Sequence, residues 1–181
     1  TSTQSIAWRW GSKSSGGCHI NADQWTKNPV CKFRLIGQRP DRAKVSVTLS
    51  RPTADWKKEC AKDPVGSMIG FYITPIDLKQ KKLEFQPGIT YMTDFVPMDE
   101  VSTPPGFFLE VLNEHQSYAI VPCTYEPGKK GNFSLTVSVS SSTEDDQDNF
   151  GGPDIEFELG KMTLSSSSSS DKKKKGKQQA K

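Results

Sequence analysis

The sequence contains few of the residues from which catalytic or metal centres are built. It has only two histidines, His19 and His115, and no Cys-x-x-Cys or His-x-x-x-His pair. Twelve residues separate Cys18 from Cys31, so zinc ligands would have to come from distant loops. A cysteine protease also needs a thiol beside a histidine that a third group orients. We therefore expect neither a catalytic residue nor a zinc site in this chain.

Long apolar segments are missing as well. No run approaches the roughly eighteen apolar residues that indicate a membrane-spanning helix. The chain does not start with a signal-like apolar segment, and this favours free thiols in a reducing compartment for Cys18, Cys31, Cys60 and Cys123. The alternative is a secreted binding domain in which these four cysteines form two disulfides. We expect a soluble, cytoplasmic protein.

The positive charge is concentrated at the C-terminal end. The formal net charge is +3, but residues 165–181 alone hold six lysines against Asp171, so residues 1–164 are mildly acidic. A run of Ser followed by Lys has no apolar side chains to offset the entropy cost of ordering, so this tail is predicted to be disordered. It is either a solvated tail or a basic arm for phosphates or anionic lipid. We expect one domain over residues 1–164, and no nucleic-acid partner because the domain is acidic.

Residues 117–142 give the clearest structural signal. Apolar side chains alternate with small polar ones through Tyr118 and Ile120, and again from Phe133 to Val139. A period of two places one set of side chains on a single strand face. Between the two halves, residues 126–132 contain Pro, Gly and Lys, as turns do. These residues are predicted to form a β-hairpin.

The remaining elements are also predicted to be short strands, because no segment has the i, i+3, i+4, i+7 apolar spacing of a long helix. Residues 30–36 and 44–50 should be adjacent antiparallel strands, residues 51–66 a loop, and residues 1–5 frayed. The other predicted strands are residues 6–10, 67–74 (within a sheet), 83–85, 89–95, 107–112 and 154–162. This pattern predicts an all-β, antiparallel β-sandwich of about eight strands.

Carboxylates are crowded after the predicted hairpin. Five lie between residues 143 and 154 without one basic residue. Calcium takes six to eight oxygen ligands, and such a loop can supply several, although the EF-hand spacing is missing. A merely solvated acidic loop is the alternative. The calcium-binding candidates are Glu144, Asp145, Asp146, Asp148 and Asp154, and calcium is the only cofactor expected.

Basic residues cluster in the predicted loop before residue 67. Lys and Arg near an anionic bilayer contribute about 1 kcal/mol each, and a Trp beside them suits the bilayer interface. These residues predict a surface for anionic lipid or an acidic partner, and a solvated loop with its Trp packed on the sandwich is the alternative. The candidates are Arg51, Trp56, Lys57, Lys58 and Lys62.

Two blocks at opposite ends of this domain share a resemblance. Residues 10–18 read WGSKSSGGC and are followed by QWTKNP at 24–29, while residues 121–137 read VPCTYEPGKKGNFSLTV. Both blocks, in this order, resemble the C2-like domain of calpains, which is also called domain III. The likeness extends over roughly residues 8–142.

The resemblance implies a C2-like sandwich that acts as a regulatory module. In calpains this domain holds the protease core, responds to calcium and contacts phospholipid, so the expected partners are a protease core in the same parent chain and an anionic membrane surface. The parent is expected to be a calpain-type cysteine endopeptidase or an inactive relative. A purely structural or interaction scaffold in a catalytically inactive calpain-like protein is the alternative function. This chain has neither the Gly-Asp-Cys-Trp nor the Gly-His-Ala-Tyr stretch of the calpain catalytic core.

One loop departs from the family pattern. Calpains carry an acidic loop after the strand that corresponds to residues 32–36, whereas residues 37–44 of this chain are basic. The calcium and phospholipid binding attributed to that loop therefore does not carry over to this position.

Overall fold

The computed structural model describes residues 1–36, 41–140 and 155–165. Within these ranges the chain forms ten β-strands and two short helices. The predicted tail from residue 166 and all five calcium-binding candidates lie outside the described residues. The strands are β1 (Ser2–Trp10), β2 (Val30–Ile36), β3 (Arg42–Ser50), β4 (Ile69–Asp77), β5 (Tyr91–Met92), β6 (Glu100–Ser102), β7 (Phe108–Glu110), β8 (Gln116–Thr124), β9 (Gly131–Ser140) and β10 (Glu156–Met162); the helices are α1 (Ala22–Trp25) and α2 (Thr53–Lys62).

Two five-stranded antiparallel sheets form a sandwich. The first sheet has the order β1-β9-β3-β6, with β7 also paired to β3, and the second has the order β10-β2-β8-β4-β5. The predicted all-β antiparallel sandwich is confirmed, with ten strands in the described residues rather than about eight. No helix in the described ranges has the length and apolar character needed to cross a bilayer.

The two strands of the predicted hairpin belong to different sheets. β8 pairs with β2 and β4, whereas β9 pairs with β1 and β3. Both strands and the turn between them are confirmed, but the prediction that they pair with each other is wrong. The turn at residues 125–130 instead carries the chain across the sandwich from one sheet to the other. Alternation specifies which face of a strand is buried and leaves its neighbours unspecified.

The core lies between the sheets, where the inward side chains of both meet. Val47, Leu135 and Val137 of the first sheet and Phe33, Phe71 and Ile120 of the second are completely buried. The outward side chains of the first sheet are mostly hydroxyls, which form cross-strand pairs such as Thr3–Ser138 and Thr48–Ser102. The first sheet therefore has one face buried in the core and one face exposed to solvent, as its period-two sequence predicts.

The second sheet is buried on both faces. Its outer face packs Tyr72, Val121 and Cys123 beneath Trp25 of α1 and Leu83 of a loop. A strand covered on both sides needs apolar residues at successive positions. This explains the continuous apolar sequence of β4, which lies inside its sheet between β8 and β5 as predicted.

Four predictions about local structure are wrong. Residues 2–5 are not frayed, because β1 begins at Ser2 and pairs with β9 along its whole length. β2 and β3 are neighbours in sequence but lie in different sheets. Residues 83–85 form the loop that covers the second sheet, so their apolar side chains are buried without strand pairing. The fourth error is helix α2, which replaces a predicted loop.

Candidate functional site

The two sequence blocks that carry the family resemblance meet in space. Backbone hydrogen bonds join Cys18 N–H to the Tyr125 carbonyl at 3.1 Å and Gly128 N–H to the Ser15 carbonyl at 2.9 Å. Gly17, at φ +72°, lies so close to Pro127 that a Cβ would approach the proline nitrogen at 2.7 Å. The glycines thus allow the first block to pack against the turn that leads into β9.

Asn28 fixes the shape of the first block. Its buried side chain accepts a hydrogen bond from Gly16 N–H at 2.8 Å and donates to the carbonyls of Gly17 at 2.8 Å and Trp25 at 2.9 Å. Gly16 has no room for a side chain, since a Cβ there would lie 1.8 Å from the Gln24 carbonyl oxygen. The Gly-Gly, Trp and Asn of the motif are therefore parts of one structural clamp.

The predicted basic loop is largely a helix. α2 begins at Thr53, after Pro52 at the N-cap position, and ends at Lys62. No helical pattern was recognisable in these residues, because only Ala54, Trp56, Cys60 and Ala61 are apolar. Tertiary contacts hold α2 instead, including the Thr53 hydroxyl donating to the Asp99 carboxylate at 2.8 Å. The first four N–H groups of a helix need outside partners or water in any case.

Arg51, the first residue of the predicted lipid surface, is buried at 8% exposure. Its guanidinium donates to the carbonyl of Ser67 at 2.7 Å, to that of Met98 at 3.0 Å, and to the sulfur of Cys60 at 3.7 Å. Burial lowers the pKa of Arg51 from its usual value. Arg51 therefore ties β3, α2 and the segment before β6 together, and does not share the exposed surface of the lysines.

Trp56 lies on the side of α2 that faces the protein. Its indole N–H donates to the Pro97 carbonyl at 2.8 Å, and its ring is half-buried. Cys60, one helical turn further on, faces the same way and contacts Arg51 and the Ser67 hydroxyl. Trp56 thus anchors α2 and keeps only part of its ring accessible.

Lys57, Lys58 and Lys62 are all exposed on α2, and Lys58 and Lys62 are neighbours one helical turn apart. We call these three residues the lysine face. Within the described ranges, none of them takes part in an ion pair. Of the five predicted lipid-surface residues, three are thus exposed on one helix, and Arg51 and Trp56 hold that helix in position.

The end of α2 is tied to the turn between β8 and β9. Lys129 forms an ion pair with Asp63 at 2.7 Å, and the Asp63 carboxylate also accepts Gly66 N–H at 3.0 Å. The bond from Lys129 is the main cause that lowers the pKa of the Asp63 carboxyl. Sequence reasoning missed this pair because its members are far apart in the chain. It connects the lysine face to the motif that packs on Gly17.

Three of the four thiols are buried, and both imidazoles have partners of their own. The structure contains all four cysteines as free thiols, and Cys18, Cys31 and Cys123 are buried. Burial raises the pKa of Cys31 to about 12, and burial likewise raises the pKa of Cys123. The His19 ring hydrogen-bonds the Tyr72 hydroxyl at 2.8 Å and stacks on Phe85, while His115 lies beside Glu114. These thiols and imidazoles are thus packed groups or, as with His115, a surface group.

The described residues contain no candidate metal centre. Nowhere in residues 1–36, 41–140 and 155–165 do three or more His, Cys, Asp or Glu side chains come together in a way that could hold a metal ion. The calcium candidates Glu144, Asp145, Asp146, Asp148 and Asp154 are outside these ranges, so calcium binding there stays a prediction.

Comparison with known proteins finds one family that matches most of this chain. The family described as "Calpain large subunit, domain III" matches residues 4–138. A Dictyostelium discoideum protein named as calpain-like cysteine protease A is 28% identical over 129 residues, which cover 71% of this chain and 17% of that protein. The Dictyostelium discoideum protein "Serine/threonine-protein kinase 4 homolog B" is 27% identical over 155 residues, covering 79% of this chain and 11% of that protein.

The chain spans less than a fifth of the length of either relative. The family match, in contrast, extends from β1 almost to the end of β9 and includes the clamp and the turn that packs against it. This chain therefore belongs to the calpain large subunit domain III family, whose domain is a non-catalytic part of calpain-like proteins.

Proposed function

We propose that this chain is the regulatory domain of a calpain-type cysteine protease, and that its lysine face docks on anionic phospholipid. The supporting observation is the exposure of Lys57, Lys58 and Lys62 on a helix whose inner side contacts the rest of the domain. Because Arg51, Trp56 and the Asp63–Lys129 pair position α2, little conformational entropy is lost on docking. The domain would then be cytoplasmic and peripherally bound to membranes.

The two relatives support a role that is separate from catalysis. One is named as a protease and the other as a kinase, yet this chain matches a part of each. A domain that accompanies different activities is expected to regulate, localise or position its neighbours. The peptidase activity, if the parent has one, would belong to a protease core elsewhere in that protein.

Membrane docking is tested by replacing the lysine face. In the K57Q/K58Q/K62Q variant, affinity for vesicles that contain phosphatidylserine should fall roughly 100-fold, at about 1 kcal/mol per lysine. Co-sedimentation with such vesicles, and with neutral phosphatidylcholine vesicles, measures the effect. Binding should also weaken as salt is raised, because exposed charges are screened.

The matched control removes three exposed lysines from elsewhere on the domain. Lys27, Lys44 and Lys79 lie off α2, and their change to glutamine alters the net charge by the same amount. This control should keep most of its vesicle affinity. If it loses as much affinity as the lysine-face variant, or if the wild-type protein binds neutral and anionic vesicles equally, docking through the lysine face is wrong.

Calcium binding at residues 144–148 and 154 is the second part of the proposal, supported by the crowding of five carboxylates in this stretch. Millimolar calcium should raise the melting temperature by roughly 5 °C, because a ligand that binds only the folded state stabilises it. A variant with Glu144, Asp145, Asp146, Asp148 and Asp154 changed to amides should show no calcium-dependent shift. Differential scanning calorimetry makes the comparison, and equal shifts in the two proteins would exclude this site.

The alternative function is a scaffold that binds neither ligand. The tight connections of α2 to β3, β8 and β9 are equally suited to that role. If the folded domain binds neither anionic vesicles nor calcium, the result would favour the scaffold function over the regulatory one.

A further inference from the structure

A basic cleft lies beside the clamp, separate from the lysine face. It has a volume of about 680 Å³ and is lined by the end of β1, the turn that follows it, and the start of β9. Arg9, Lys13 and Lys130 contribute three positive charges, and none of the described lining residues carries a carboxylate. Asp55 and Glu59 of α2 line a smaller adjoining pocket, which shares Lys130, Gly131 and Asn132 with the cleft. The charged residues in the lining of the cleft itself are all cationic, on a domain that is acidic as a whole.

The backbone that carries these cations is fixed at each point. Arg9 lies opposite Asn132 in the β1–β9 ladder, and Trp10 lies opposite Gly131. Lys13 belongs to a turn closed by two hydrogen bonds between Gly11 and Ser14, at 2.8 and 3.2 Å. Lys130 stands between Gly131 and Lys129, which is held by Asp63. Because the backbone beneath these cations is fixed, binding an anion costs little backbone entropy, and their summed charge attracts anions.

Both tryptophans that line the cleft already have interaction partners within the domain. Trp10 is 3% exposed, and its indole N–H donates to the Pro122 carbonyl at 3.0 Å. The Lys161 ammonium lies over the half-buried Trp8 ring, 4.8 Å from its centroid. Neither ring is free to insert into a bilayer or to stack on a base, so the cleft offers charge and hydrogen bonds. A soluble anion suits it better than a membrane surface.

We propose that the basic cleft binds a soluble, multiply phosphorylated small molecule. Its volume lies in the range of small-molecule sites, and three cations match a ligand with several phosphate groups. Arg9 can donate two parallel hydrogen bonds to one phosphate, while Lys13 and Lys130 act as point charges on others. None of the described residues that line the cleft belongs to the lysine face.

Gly131 gives a sharp test of the proposal. Gly131 lines the cleft, and a Cβ there would meet no heavy atom within 4 Å, so a side chain fits at this position without a clash. Gly131→Glu adds a negative charge there, and Gly131→Gln adds the same shape without charge. With inositol hexakisphosphate as the probe in isothermal titration calorimetry, Gly131→Glu should weaken binding at least about tenfold relative to Gly131→Gln.

Thermal melting shows whether Gly131→Glu folds. If it does not, a variant that removes two cations provides a second test. K13Q/K130Q should also weaken hexakisphosphate binding at least about tenfold, while K57Q/K58Q/K62Q should leave it nearly unchanged. Inorganic phosphate should bind the wild-type protein far more weakly than the hexakisphosphate. No measurable binding of hexakisphosphate, or an equal loss in the lysine-face variant, would overturn the proposal.

Vesicle binding separates this inference from the proposed membrane docking. K13Q/K130Q should still sediment with phosphatidylserine vesicles, and K57Q/K58Q/K62Q should still bind hexakisphosphate. If K13Q/K130Q loses vesicle binding but keeps hexakisphosphate binding, the cleft belongs to a membrane surface and the soluble ligand is wrong. If the lysine face proves not to bind vesicles, hexakisphosphate binding in the cleft is unaffected by that result.

Discussion

Replacing Gly16 with alanine should lower the free energy of unfolding by roughly 4 kcal/mol, near the upper end of single-residue effects. The new Cβ would lie 1.8 Å from the Gln24 carbonyl oxygen and 2.6 Å from its carbon. Both are backbone atoms, so no rotation of a side chain can relieve the overlap. The loop would have to move and give up the Asn28 hydrogen bonds that close the clamp.

Two other glycines provide controls for this substitution in urea unfolding. A Cβ at Gly160 in β10 meets nothing within 4 Å, so Gly160→Ala should change stability by less than about 0.5 kcal/mol. Gly128 is equally open but has φ +86°, so Gly128→Ala should cost only the roughly 1 kcal/mol of a left-handed alanine. A Gly16→Ala cost no larger than that of Gly128→Ala would mean that the clamp is not close-packed.

Replacing Arg51 with glutamine should also lower the free energy of unfolding by roughly 4 kcal/mol, since two hydrogen bonds from a charged donor are worth about 2 kcal/mol each. The buried carbonyl of Ser67 and the carbonyl of Met98 would lose their donor. The same change should alter vesicle affinity far less than the loss of the lysine face, provided that it is measured below the melting temperature. This contrast separates a positioning role for Arg51 from direct lipid contact.

The matched control is Arg34→Gln. Arg34 makes an exposed hydrogen bond of 3.3 Å to the Glu114 carbonyl, so its loss should cost less than about 0.5 kcal/mol. If Arg51→Gln proves as mild as Arg34→Gln, the buried guanidinium does not hold α2 in place. Strong loss of vesicle binding without loss of stability would instead assign Arg51 to the membrane contact.

The sequence alone allowed a strong prediction of strand positions, because burial on a sheet follows a period of two. β2, β4, β8, β9 and β10 lie within a few residues of their predicted positions. The family was also recognisable from sequence, since glycines and prolines at a fixed spacing reflect local backbone requirements. The clamp shows the requirement directly, with Gly16 against the Gln24 carbonyl and Gly17 against Pro127.

The candidate sites were only partly predictable. The lysines of α2 were found because they are neighbours in sequence, but the burial of Arg51 was not, since its partners Ser67 and Met98 belong to other segments. The basic cleft was missed for the same reason: Arg9 and Lys13 meet Lys130 only through the pairing of β1 with β9.

The amino-acid sequence by itself determined the all-β class, the faces of the strands, the turns and the acidic and basic segments, because each depends on nearby residues. Only the tertiary structure decided that β8 and β9 enter different sheets, since alternation is satisfied by any neighbour of suitable register. It also decided that residues 53–62 are helical, because contacts such as Trp56 with Pro97, and not an apolar stripe, hold that helix. Local sequence was compatible with more than one strand pairing and with a loop or a helix at residues 53–62, and long-range packing decided between them.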